Sequence, residues 1–216
     1  MQGISLNVSK TVVKGEQAYE AVENALSELA ELDYKYVMKH GHPKIRQRIY
    51  HLAGSSEYLM IDFCWQLHSR PKNEYAYIRG NLVESAKVVF DKSNVVRFVD
   101  YHTADYEAQN NALLADCKYR HSQYSRVEKY IRRGHFLEAY AYYNRYVLEP
   151  LINLLRLIYT PVNADYYLVH ISRHLSQDKL QKLEYFAQIP SLDAMNERIP
   201  LAKQWFDELL KELEGN

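Results

Sequence analysis

From Thr103 onward the apolar residues of this chain recur at helical spacing almost to its end, and that period constrains the fold more than any other feature. Phe136, Tyr140, Tyr143, Val147, Leu151, Leu154 and Ile158 repeat every three or four residues, the stripe a helix needs to bury one face. Thr103 reads as an N-cap, with Asp105 and Glu107 in a first turn where the helix dipole favours acids. This helix is expected to run to Ile131 and stop at Arg132, Arg133 and Gly134, cations followed by glycine. Pro150 predicts a kink or break in the next one. Asn163, Ser176 and Ser191 read as further caps, opening helices over residues 164–175, 177–187 and 192–213, the last kinked at Pro200. Short connections make such helices antiparallel neighbours, that is, a bundle.

The first half follows a different period. Ile4, Leu6 and Val8 alternate with Ser5 and Asn7, as in a short strand. A helix over residues 16–32 puts Ala18, Val22, Ala25, Leu26, Leu29 and Leu32 on one face. Strands follow over residues 34–39, 45–52 and 58–67, separated by turn chemistry at His40-Gly41-His42-Pro43 and Ala53-Gly54-Ser55-Ser56. The run from Leu59 to Gln66 is apolar except for Asp62, which predicts a central strand covered on both faces. Residues 69–95 read as irregular. The fold class expected is therefore α+β: a small mixed sheet in residues 1–100, then an all-α bundle in residues 101–216.

Composition narrows the function classes. Lys plus Arg and Asp plus Glu number 27 each, so no net field attracts nucleic acid or an anionic membrane. No stretch approaches the ~18 apolar residues of a membrane span, and no secretory leader precedes the first strand. Cys64 and Cys117 then read as two free thiols in a cytoplasmic protein, with no disulfide or zinc framework. Twenty tyrosines supply amphipathic surface for boundaries, a polar pocket or an interface.

Three groups of residues could carry chemistry. Asp62 sits inside an apolar strand, where a carboxylate costs several kcal/mol unless it is paired or metal-bound. It is either satisfied by Arg46, Arg48 or backbone N–H groups, or it is a metal ligand or base at the edge of a site. His40, His42, Lys44, Arg46 and Arg48 form a basic turn that could hold phosphate or simply face solvent. Tyr142, Tyr143, Arg145, Glu149 and Arg156 share the helix after Gly134, as a pocket wall or a polar boundary. The other histidines, His51 among them, are scattered without ligand spacing.

Taken together, His42-Pro43-Lys44-Ile45-Arg46-Gln47, Leu59-Met60-Ile61-Asp62-Phe63, Val89-Phe90-Asp91-Lys92, Leu154-Leu155-Arg156 and Tyr159-Thr160-Pro161 resemble the nucleotidyltransferase superfamily, in its aminoglycoside-type bacterial group. The resemblance implies a small mixed sheet with three carboxylates, two in an Asp-x-Asp motif on one strand and one on a neighbour. They would hold magnesium on a triphosphate while a substrate hydroxyl attacks. It also implies an upstream Gly-Ser phosphate grip and a helical bundle on the acceptor side. Asp62 corresponds to the third carboxylate and sole metal ligand, with His42, Lys44, Arg46, Tyr143 and Arg156 as substrate-binding candidates. The Asp-x-Asp positions fall on Gly3 and Ser5, and the Gly-Ser segment would precede Met1. Acids missing from both positions point to a natural remnant rather than a shortened chain.

The function this implies is a catalytically inactive nucleotidyltransferase-like protein that binds a small molecule, nucleotide or partner in an inter-domain cleft and needs no cofactor. One alternative is an active, Mg2+-dependent transferase moving a nucleoside monophosphate to a small hydroxylated acceptor, with Glu57 as a second acid. Another is an assembly protein that hides an uncovered sheet edge in a homodimer.

Overall fold

The computed structural model describes residues 2–9, 12–39, 42–71, 76–81, 83–84, 86–92 and 94–215, with backbone alone for residues 2–9, 12 and 13. The chain is α+β and separates into two compact units. Unit 1 holds residues 1–77 and 86–99; unit 2 holds residues 78–85 and 100–216.

Among its described residues, unit 1 is built mainly from one helix on a four-stranded sheet. β1 (Gln2–Ser9) leads into α1 (Val12–Leu29), followed by β2 (Leu32–Val37), β3 (Ile45–Leu52) and β4 (Ile61–Leu67). The strand order is β1-β4-β3-β2, with β1 parallel to β4 and the other pairs antiparallel. β4 is central, as its apolar run predicts, but it is not buried evenly on both faces. Phe63 and Trp65 are buried while Asp62, Cys64 and Gln66 are only half-buried, the alternation of a strand whose two faces differ.

The buried face lies against α1. The Tyr19 ring meets Phe63 edge-on at 5.4 Å and Trp65 at 6.2 Å. Fully burying each of these aromatic side chains contributes about 1.5–3 kcal/mol. The same face carries an ionic network: Arg48 pairs with Glu16 at 3.0 Å and Glu23 at 2.8 Å, and Lys35 pairs with Glu23 at 2.7 Å. The Tyr50 hydroxyl donates to Glu23 at 2.9 Å, and the Arg48 guanidinium lies 3.8 Å over the Tyr19 ring. Burial alone would raise the Glu23 pKa, but hydrogen bonds from Lys35, Arg48 and Tyr50 outweigh it and hold the carboxyl below its usual range.

α1 begins before the expected residue 16 because Gly15 does not break it. Helical Gly15 is buried directly beneath the Trp65 indole, where no side chain fits. After β4, the strands among the described residues are the two-residue β5 (Tyr77–Ile78) and β6 (Phe98–Val99), as the turn-rich composition of that stretch predicts.

Unit 2 is a helical bundle built around α5 (Glu149–Tyr159). Leu151, Ile152, Leu154, Leu155 and Leu157 are buried on every side of α5, which packs against α2 (Glu107–His121) and α7 (Leu192–Gly215). α3 (Ser125–Arg132) and α4 (Phe136–Tyr143) form a packed pair, turning at Gly134 with φ +71°. α6 (Gln177–Ala187) is capped as expected by Ser176, which accepts from Lys179 N–H, and Ser191 caps α7 by accepting from Ala194 N–H at 3.1 Å.

Three expectations for the bundle are corrected. Thr103 opens a 3-10 turn rather than the long helix, and the segment to residue 132 is broken after His121, where the Ser122 hydroxyl donates to the Tyr119 carbonyl and competes with the helix. Pro150 does not break its helix. A π-helical turn over Asn144–Leu148 lies immediately before it, with Glu149 N–H donating to the Asn144 carbonyl, and this wider turn accommodates the proline ring. Residues 164–175 do not form an α-helix. They form two 3-10 turns, Pro161–Tyr166 and Ile171–Arg173, separated by positive φ at Tyr167 and His170.

The reason for the last difference is Arg156, 1% exposed inside the unit. Its Nε donates to the Tyr167 carbonyl at 2.6 Å, one terminal nitrogen donates to the Val169 carbonyl, and the other donates to Thr160 Oγ1 at 3.2 Å. These carbonyls are thereby withdrawn from any helical ladder. Burial pushes the Arg156 pKa down, a cost met by this fork of hydrogen bonds.

Two substitutions test these assignments. Gly15→Ala would gain roughly 1 kcal/mol from helix propensity in a free helix. Here the new Cβ would stand 2.5 Å from Trp65 Cε2. The expected net loss is about 1–3 kcal/mol, read as a lower urea midpoint; an unchanged or higher midpoint would contradict the packing. Arg156→Met should lower stability by about 3 kcal/mol or more in thermal unfolding, since it strands buried carbonyls. A near-native melt would mean that the fork is dispensable.

Candidate functional site

The face of the sheet away from α1 carries Asp62, Cys64 and Gln66 from β4, beside Ile49, Gln47 and Ile45 of β3 by register. Asp62 Oδ2 accepts a hydrogen bond from Gln47 Nε2 at 2.6 Å, while its Oδ1 is buried with no partner among the described residues. The expected arginine partners are excluded by parity. Arg46 and Arg48 stand opposite Trp65 and Phe63, on the α1 face. Burial, together with the charge of Asp62, pushes the Cys64 thiol up to about 11, so it is not a thiolate nucleophile at neutral pH. Both cysteines are free, and Cys117 is buried in unit 2.

On the other side of β4, the parallel register sets position 3 opposite Asp62 and position 5 opposite Cys64. The residues there are Gly3 and Ser5, which offer no carboxylate. Glu57 is exposed in the turn before β4, and among the described residues no group of three or more His, Cys, Asp or Glu could hold a metal ion. A magnesium site of the three-carboxylate kind does not fit this donor set.

The basic turn is engaged with its own backbone. His40 and Gly41 lie outside the described residues. His42 Nδ1 accepts from Lys44 N–H at 3.1 Å, and Lys44 Nζ donates to the Ser69 carbonyl at 2.7 Å. Arg46 donates to the carbonyls of Pro43 and Ile45 at 3.2 and 2.8 Å. These bonds engage the cations with backbone carbonyls of the turn and of Ser69 after β4, and the side chains share no common acceptor.

Nearby, His51 places Nδ1 2.7 Å from Asp33 Oδ1 and Nε2 3.2 Å from Ser55 Oγ, an acid–histidine–hydroxyl row that invites a nucleophile reading. The hydrogen bonding rules that reading out. Nε2 also lies 3.1 Å from the Ser56 carbonyl, and Ser55 Oγ donates its own proton to the Leu52 carbonyl at 2.8 Å. With an acceptor oxygen beside each ring nitrogen, the site favours the imidazolium, and the Ser55 proton is directed at the Leu52 carbonyl and not at a base. The Asp33 hydrogen bond and then the Ser56 carbonyl raise the His51 pKa. A histidine raised in the folded state stabilises fully below its unfolded value, about 6.5, and loses that contribution as pH rises through the folded value. Unfolding midpoints of wild type and His51→Gln should thus differ most in acid and converge above neutrality; a pH-independent gap would exclude the ion pair.

In unit 2, Tyr143 and Arg156 are interior residues and present no polar atom for a ligand. The Tyr143 hydroxyl donates to the Phe186 carbonyl at 3.1 Å, and burial raises its pKa. Tyr142, Arg145 and Glu149, flagged with them in the sequence, have a different fate. With Asn144, Tyr146 and Tyr167 they line an open groove of about 480 Å³. Residues 142, 145, 146 and 149 are spaced three and four apart, so this stripe is legible in sequence. Tyr167 is not, because it reaches the groove from a chain reversal.

No protein-family model matches the sequence, and no curated protein matches it. Among solved structures the chain is similar to an aminoglycoside 6-adenyltransferase from Bacillus subtilis, at 14% identity and a TM-score of 0.48, over 99% of this chain and 80% of that one.

Proposed function

We propose that this chain is a nucleotidyltransferase-like protein that has given up transfer chemistry and acts by binding a small molecule. The observation carrying the reading is the β1–β4 register, in which Gly3 and Ser5 occupy the positions beside Asp62 and Cys64. In the superfamily that the motifs resemble, the paired acids would belong there. A lone carboxylate, already accepting from Gln47, is a weak ligand for a cation that demands near-octahedral oxygen coordination. The helical unit keeps a groove of a size suited to a small ligand.

One observation favours the active alternative: the buried Asp62 Oδ1 without a partner is the kind of atom a bound cation would satisfy. Calorimetry decides between the two. Titrating the protein with each nucleoside triphosphate, with and without magnesium, is expected to give no magnesium-dependent heat, and Asp62→Ala is expected to change nothing. Saturable magnesium-dependent binding tighter than about 100 μM, lost in Asp62→Ala, would establish the active reading instead.

A further inference from the structure

The groove of unit 2 brings together two unusual backbone elements of the bundle. Its lining includes Asn144, Arg145 and Tyr146 of the π turn, an interruption frequent at functional sites. Its far wall is Tyr167, held at φ +48° and ψ −118°, a backbone conformation that costs a non-glycine residue on the order of 1–3 kcal/mol. Arg156 maintains that conformation from inside by binding the Tyr167 carbonyl. The π turn and the strained Tyr167 thus meet at one concavity.

The near wall is aromatic. Tyr142 stacks on Tyr146 at 5.5 Å and on Tyr130 at 5.1 Å, so the rings form a continuous ladder leading into the groove. Tyr167, on the groove lining, is about 40% exposed, leaving ring surface open to a ligand.

The charges are unequal. Glu149 is paired with Arg120 at 2.7 Å, which also holds Asp116 at 2.6 Å. Arg145, exposed on the groove wall, has neither an ion pair nor a hydrogen bond among the described residues. Around the ladder, Arg126 lies 5.9 Å from the Tyr146 ring, and Lys129 and Arg133 lie 4.8 and 5.9 Å from the Tyr130 ring. None of these three has a carboxylate partner among the described residues. The groove's own lining carries one cation, Arg145, and one acid, Glu149, and the further cations lie around the tyrosine ladder.

We propose that the groove binds a small planar anion, an aromatic ring carrying one carboxylate or phosphate. The ring lies against the tyrosines, and Arg145 holds the anionic group with its two-pronged guanidinium. Asn144, beside Arg145, supplies a neutral polar contact at the rim. This rests on the reading of the chain as a binding protein and names the class of ligand.

The test uses the full chain and three naphthalene probes of one shape: 2-naphthoate, 2-naphthyl phosphate and the uncharged 2-naphthamide. Binding is followed by calorimetry and by saturation-transfer NMR. At least one of the two anions should bind saturably and about tenfold or more tighter than the amide, with affinity falling as salt is raised. Whichever anion is preferred identifies the group that the site takes. Arg145→Ala should weaken that anion about tenfold or more while leaving the amide unchanged. Tyr146→Ala should weaken all three, Tyr146→Phe should restore them, and Lys211→Ala, a cation lost from α7, should have no effect. Equal affinity for anion and amide, indifference to Arg145→Ala, or no saturable binding of any probe would overturn the proposal. Binding of single-stranded oligothymidylate without the naphthyl anions would also overturn it, assigning the patch to a polymer. Magnesium-dependent triphosphate binding through Asp62 would refute the inactive reading alone, because it leaves these measurements untouched.

Discussion

The two-residue period of β4 is the constraint on which unit 1 depends. Phe63 and Trp65 must both lie under Tyr19 of α1, because no other buried cluster exists among the described residues of this unit. That choice forces Asp62, Cys64 and Gln66 onto the opposite face, and by register it sends Arg46 and Arg48 to the helix side. Arg48 then has Glu16 and Glu23 within reach, while Asp62 is left with an amide in place of a guanidinium. Even Gly15 follows from the same packing, since the indole that fixes the strand's face occupies the place of a side chain on α1.

Unit 2 is organised differently, around a helix buried on every side. α5 carries its one arginine into that core, and the fork of Arg156 organises the chain beyond the helix end. The chain reverses where an α-helix would otherwise continue, and the reversal delivers Tyr167 to the surface. At the other end of α5 the π turn before Pro150 shifts the helical phase and opens the groove wall. A buried structural residue and an open groove are therefore consequences of one arrangement. Arg156 shapes a groove whose lining it does not join.

Much of this was legible from residue order. The switch of period at Thr103, the central position of β4, the strands over residues 45–52 and near 61–67, and the caps at Ser176 and Ser191 all rest on local chemistry and survived folding. Tyr142, Arg145 and Glu149 were visible as a helical stripe. Tyr143 and Arg156 were grouped with them because spacing alone does not tell an interior residue from a wall residue when the helix is apolar all round. The basic turn misled for a related reason: the composition of His42, Lys44 and Arg46 suits a phosphate, but the carbonyls of Pro43, Ile45 and Ser69 claim the cations first.

The sequence by itself determined the two structural classes and their order, because hydrophobic period and cap chemistry act within a few residues. It also determined that an acid interrupts the central strand and that Gly3 and Ser5, not acids, precede the first helix. Only tertiary structure decided which face Asp62 takes, that Gln47 rather than an arginine binds it, and that Tyr167 joins the groove. Each of these depends on strand register or on a buried hydrogen bond between residues distant in sequence, and neither leaves a periodic trace.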